Sequence, residues 1–225
     1  MRVTFPNFLL RQEIIPRAVG MSLEPQRSIS GAETVTPTFG GRWEVTCSFV
    51  LKNEASYLAW QAFRAQMEGR IGTTLVPIAT RFRPKDRDGH SAHGSRSAGI
   101  VGAQTWEHFG FLASPVVTMT LAEPAALRAT TIKASLGNTT GIRPGQYFSI
   151  DERLHQVQHH WENGDGTVNL MIWPPLRRSF ATAGWSLIMD HPHCLMRMAS
   201  ENEGEFDHLL DRLPQVTVSF VEAEI

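Results

Sequence analysis

The chain has 225 residues, 42% hydrophobic and 19% charged, enough to bury a sizeable core in one large domain or two small ones. Its 21 Lys and Arg against 22 Asp and Glu leave a net charge of −1, which argues against wholesale electrostatic capture of nucleic acid or an anionic membrane. Two cysteines, Cys47 and Cys194, cannot staple a domain of this size and suit a protein made in a reducing cytosol, although a single long-range disulfide stays open.

The opening MRVTFPNFLLRQEIIPRAVG is broken by Pro6, Arg11 and Glu13, so neither a signal peptide nor a transmembrane helix is expected from it. WEVTCSFVL follows, with Trp43, Val45, Cys47, Phe49 and Leu51 alternating against Glu44, Thr46 and Ser48. That period predicts a half-buried antiparallel strand. A helix is expected next. Asn53 can cap it, Glu54 suits its first turn, and Tyr57, Trp60, Phe63, Arg64 and Met67 recur at three- and four-residue spacing, while Gly69 is placed to end it in the left-handed conformation. The aromatic stripe is expected to be core packing. RIGTTLVPI predicts a turn and another strand.

Arg83–Gly99 is polar, Gly-containing and free of aromatics, and is expected to be a loop or long hairpin tip. VVTMTL repeats the earlier alternation, with Val117, Met119 and Leu121 against Thr118 and Thr120, and QVTVSFVEA repeats it again near the C-terminus. Between them, TTIKAS, QYFSI, RLHQVQ, TVNLMIW and WSLIMD are five short apolar runs. Turn signals separate them at Gly137-Asn138, Pro144-Gly145 and Asn163-Gly164-Asp165-Gly166, a pattern that suits a small barrel or sandwich. The expected fold class is therefore mainly β with one helix. Residues 1–123 with 190–225 form a main domain, and 124–189 form an inserted small β-barrel or β-sandwich.

The chemistry in the sequence is sparse. His155, His159, His160, His191 and His193 are the first metal candidates, but no HExxH is present and adjacent His159 and His160 point to opposite faces of a strand. There is no GxSxG, GxxxxGK[ST] or GxGxxG. The carboxylates Asp151-Glu152 and Glu201, Glu203 and Glu205 are expected to be solvated rather than acid/base pairs. Tyr147, Phe148 and Trp161 are aromatic groups able to stack bases, but their basic neighbours (Arg128, Lys133, Arg143, Arg153, Arg177 and Arg178) form no stripe. No catalytic, cofactor-binding or metal-ligating residue is assigned, no cofactor is expected, and the chain is expected not to be an enzyme. A metal-dependent hydrolase built on the histidines and an oligonucleotide-binding barrel are the alternatives.

GIRPGQYFSI (Gly141–Ile150), RLHQV (Arg153–Val157), PPLR (Pro174–Arg177), Gly184 and PHCLMRM (Pro192–Met198) resemble a module that recurs in tail proteins of long-tailed bacteriophages. The resemblance covers about a third of the chain and points to a distal tail protein or a closely related minor tail or baseplate component. It implies a tail-tube-like β-sandwich that forms a sixfold ring, and a smaller galectin-like or oligonucleotide-barrel-like domain projecting from it. It also implies a place at the virion tail tip, with the tail tube, the baseplate hub and receptor-binding or tail fibre proteins as partners and neither membrane nor specific nucleic acid. Here the small domain lies before the last strands rather than after them. The Arg83–Gly99 segment, where Arg83, Lys85, Arg87 and Arg96, with Arg81 just before it, outnumber Asp86 and Asp88, is a candidate intersubunit or lumen-facing arm of such a ring.

Overall fold

The computed structural model describes residues 1–6, 10–38, 40–78, 82, 84–87, 89, 117–189, 191–206 and 213–223. Described strands are β1 (Arg2–Val3), β2 (Leu10–Val19), β3 (Gln26–Arg27), β4 (Glu33–Thr34), β5 (Arg42–Val50), β6 (Thr73–Pro77) and β7 (Met119–Leu121), followed by β8 (Thr131–Leu136), β9 (Tyr147–Ile150), β10 (Arg153–Asn163), β11 (Thr167–Trp173), β12 (His193–Met198) and β13 (Gln215–Glu222). One helix, α1 (Glu54–Met67), lies between β5 and β6. The molecule is mainly β: a six-stranded mixed sheet in the order β1-β6-β12-β13-β5-β2, and a five-stranded sheet, β7-β8-β11-β10-β9, curled into a half-barrel.

The alternation in β5 and β13 sets the first core. Val45 pairs with Phe220, Cys47 with Val218 and Phe49 with Val216, and all six side chains are buried on one face. On the opposite face Thr46 meets Ser219 and Ser48 meets Thr217 across the same strands. β12, which follows the second sheet in sequence, pairs with β6 and β13 and thus returns the chain to the first sheet. The apolar face is covered partly by α1 through Trp60, Phe63 and Met67, with Phe5 wedged against Phe49, Phe63 and Phe220.

α1 begins where Asn53 predicts. The Asn53 side chain accepts from the Ser56 N–H and the Ser56 hydroxyl accepts from the Asn53 N–H, a reciprocal cap. At the helix end Gly69 takes the left-handed conformation expected of it, and the residue before it is left-handed as well. Glu68 is the left-handed C-cap (φ 47°), and Gly69 continues the turn at φ 65°. Met67, the last helical residue, is buried in the core, and Glu68 after it begins the turn.

The second sheet departs from the sequence reading in two strands. Met119–Leu121, expected beside the early strands, pairs with β8 instead. The fifth expected run, around WSLIMD, makes only isolated bridges, Ser186 to Thr120 and Ile188 to Ser149. The two segments exchange roles because alternation fixes which face of a strand is buried but not which sheet it joins. The second core, built on Val117, Met119, Leu121, Ile132, Phe148, Ile150, Val157, Leu170 and Ile172, is separate from the first. Of Arg83–Gly99, only Pro84–Arg87 and Gly89 fall within the described residues.

Candidate functional site: the sheet edge, the arm and the junction

β2 is the outermost strand of the six-stranded sheet, ten residues long and paired only with β5 among the described residues. Pro16 lies within it, and proline, which has no N–H for the ladder, is tolerated on edge strands because one of their sides has no neighbour to receive one. From its end at Val19 the chain turns at Gly20 (φ 73°) into a hairpin arm. Thr38 N–H donates to the Met21 carbonyl and Ser22 bridges to Pro37 at the base, β3 pairs with β4 further out, and the tip closes through Ser28 and Ala32. Every residue from Met21 to Pro37 is exposed. Among them are Met21 at 47%, Leu23 at 56%, Val35 at 53% and the tip Ile29, fully exposed. The sequence reading missed this arm, although Ser30-Gly31 is a turn signal. It located the extended segment at Arg83–Gly99 instead.

The two sheets meet over Trp43, which is 1% exposed. Its indole N–H donates to the Leu154 carbonyl at 2.8 Å, and its ring stands edge-on to Tyr147 (5.6 Å) and Trp173 (4.9 Å) of the second sheet. Gly41 is needed there, since a Cβ at that position would lie 2.6 Å from the Trp173 ring. Glu222 is buried beside it, accepting from Trp43 N–H through one oxygen and from Arg153 through the other, each at 3.0 Å. Burial raises the Glu222 pKa, and these two donors and Arg177 oppose that rise. Arg177 donates to the Gly41 carbonyl, Arg2 pairs with Glu152, and the Ser149 hydroxyl exchanges hydrogen bonds with the His193 backbone.

The histidines are dispersed. His155 is 1% exposed, stacked on Phe148. Its Nδ1 lies 2.8 Å from the Pro174 carbonyl, so the proton sits on Nδ1, because a carbonyl only accepts. Burial lowers its pKa to about 4, so the ring is neutral at pH 7. His159 faces Trp161 on the outer side of the second sheet, and His191 stacks on His193 at the start of β12. Burial also lowers the His193 pKa. Among the described residues no three His, Cys, Asp or Glu side chains are gathered to hold a metal ion. Cys47 and Cys194 are both buried and unbridged, and burial pushes the Cys194 thiol up.

The remaining candidates are also largely built into the fold. Asp151 pairs with Arg178, Glu203 accepts from Ser219 N–H, and Glu205 pairs with Arg64. Of the three candidate stacking aromatics, Phe148 is buried in the second core and Tyr147 packs on Trp43. Trp161 alone of the three is exposed. The basic pair Arg177-Arg178 is likewise engaged, Arg178 lying over the Phe180 and Trp185 rings. No family model and no curated protein matches the chain.

Proposed function

We propose that this chain is a non-enzymatic structural subunit of a long-tailed bacteriophage tail tip, a distal tail protein or a close relative among minor tail and baseplate components. It assembles through the six-stranded sheet into a ring, a homohexamer, joining the tail tube to the baseplate hub. The five-stranded half-barrel, the galectin-like or oligonucleotide-barrel-like element of the resemblance, faces outward towards receptor-binding or tail fibre proteins. The six-stranded sheet and α1 stand for the tail-tube-like part.

The observation that carries the reading is the β2 edge running directly into an exposed arm. An isolated two-stranded hairpin is marginal in water. One that exposes Leu23, Ile29 and Val35 gains most by packing on another surface. A ten-residue edge strand, paired only with β5 among the described residues, is also a template for a further strand. An arm that meets a different patch on the next copy makes a head-to-tail contact, and such contacts close into rings when the rotation per subunit divides a full turn. The motifs from Gly141 to Met198 supply the phage-tail context.

The test is the mass of the purified protein in solution together with imaging of assembled particles. The expected result is a species of six protomers and a ring of that symmetry at the tail tip. A protein that stays monomeric at high concentration, with no ring in particles, removes the proposal.

A further inference from the structure

β12 begins where the chain returns from the second sheet to the first, and its first residues are tied across the seam between them. His193 N–H donates to the Ser149 hydroxyl at 2.7 Å, and that hydroxyl donates to the His193 carbonyl at 2.6 Å. Leu195 N–H donates to the Glu152 carbonyl at 2.8 Å. Ser149 is fully buried, so its hydroxyl keeps its partners only while the seam stays closed.

Two imidazoles sit at this point. His191 and His193, on either side of Pro192, stack with ring centroids 6.2 Å apart and planes 22° apart. His193 Nδ1 lies 3.2 Å from the His191 carbonyl and donates to it, because a carbonyl only accepts. Among the described residues the charged and titratable groups that face His193 are His191 on its own segment, Arg2 of β1 and Glu152 of the turn between β9 and β10. β6 meets β12 there with Pro77 and β9 with Ser149, neither of them charged. Glu152 is already paired with Arg2 at 2.8 Å. Both imidazoles are half-buried, so a proton reaches them without unfolding of the chain.

We propose that the start of β12 is an acid-operated latch: protonation of the His191–His193 pair releases its bonds to Ser149 and Glu152 and opens the seam between the sheets locally. A proton on His193 places a half-buried cation beside a second imidazole and the Arg2 guanidinium, while the facing carboxylate is engaged by Arg2. Moving the segment outwards hydrates that charge. Burial lowers the His193 pKa from 6.5; the His191 carbonyl and Glu152 oppose this, and the His191 and Arg2 charges add to it. A histidine whose folded pKa lies below its unfolded one stabilises the closed form above pH 6.5 and loses that contribution as pH falls. Neither ring belongs to either core, so the two sheets themselves persist when the latch opens.

Amide hydrogen exchange of the full chain tests this, read residue by residue between about pH 7.5 and pH 5 and corrected for the intrinsic rate. That range lies above the one in which His155 titrates. Protection at the His193 and Leu195 amides should fall by about fivefold or more, while the β13 amides bonded to β5 keep theirs. His193→Gln retains a donor for the His191 carbonyl and cannot take up the charge, so its protection should hold across the range. The His193 ring of the parent, followed by NMR, should titrate below pH 6.5, a readout that needs no variant. Four results would each overturn the proposal: protection at the two amides that does not change with pH, a fall that persists in His193→Gln, a parallel loss throughout β13, or a ring that titrates at or above pH 6.5.

Discussion

Trp43 combines two roles that the sequence could show only one of. Its place in the alternation of WEVTCSFVL marks it as buried, but its indole N–H reaches Leu154, 111 positions away, on the other sheet. Trp43→Phe keeps one aromatic ring, opens a cavity where the rest of the indole packs, and leaves the Leu154 carbonyl without that donor. The expected loss is about 2–4 kcal/mol in denaturant unfolding, from the unpaired buried carbonyl and the cavity together. His155 gives a second residue-scale prediction, through pH. Its pKa falls from 6.5 to about 4 on folding, mainly through burial, so the unfolded chain binds its proton more readily. The corresponding stability is fully present above pH 6.5 and is lost as pH falls towards 4, amounting to about 3 kcal/mol. His155→Gln, which retains a donor for the Pro174 carbonyl, should lose less stability than the parent between pH 7 and pH 4. Equal losses in the two proteins would show that His155 does not titrate as its burial requires.

At the scale of elements, α1 is the most local and the arm the least. Asn53 and Ser56 cap α1 reciprocally, and the capping atoms lie within four residues of one another. Asn53→Ala should therefore lower stability by about 1 kcal/mol without altering the sheets, measured by thermal unfolding. The arm, by contrast, closes at its base through Thr38 and Met21 and leaves its residues exposed. Replacing residues 22–37 with a short Gly-Asn turn should leave the melting temperature of the protomer within a few degrees of the parent, because surface changes away from the core usually cost little. The same deletion should abolish the six-protomer species in sedimentation. A truncated protein that still forms the ring would place the subunit contact elsewhere.

For the whole molecule, the two sheets are joined by packed side chains as well as by the chain itself. Trp43, Trp173, Tyr147 and Leu154 form the apolar centre of the junction, and Glu222, Arg153, Arg177 and Arg2 form its polar part. Gly41→Ala should separate these layers, since its Cβ would meet the Trp173 ring. A loss of about 1–3 kcal/mol is expected, the usual cost of overpacking, with both sheets unfolding together. Two separate transitions in the parent protein would show the junction to be weaker than its contacts require. The sequence by itself determined the mainly β class, the single helix and its cap, the face buried in β5 and β13, and the return of the C-terminal strand to the early ones. All of these rest on alternation, helical spacing or local hydrogen bonding, which are written in neighbouring residues. Only the tertiary structure decided that β7 belongs to the second sheet, that Phe148 is enclosed and Tyr147 half-buried against Trp43 while Trp161 stays outside, and that residues 21–37 stand off the body as an arm. Each of these depends on what a strand meets across space, and a period of two is the same whichever sheet, or neighbouring molecule, lies against it.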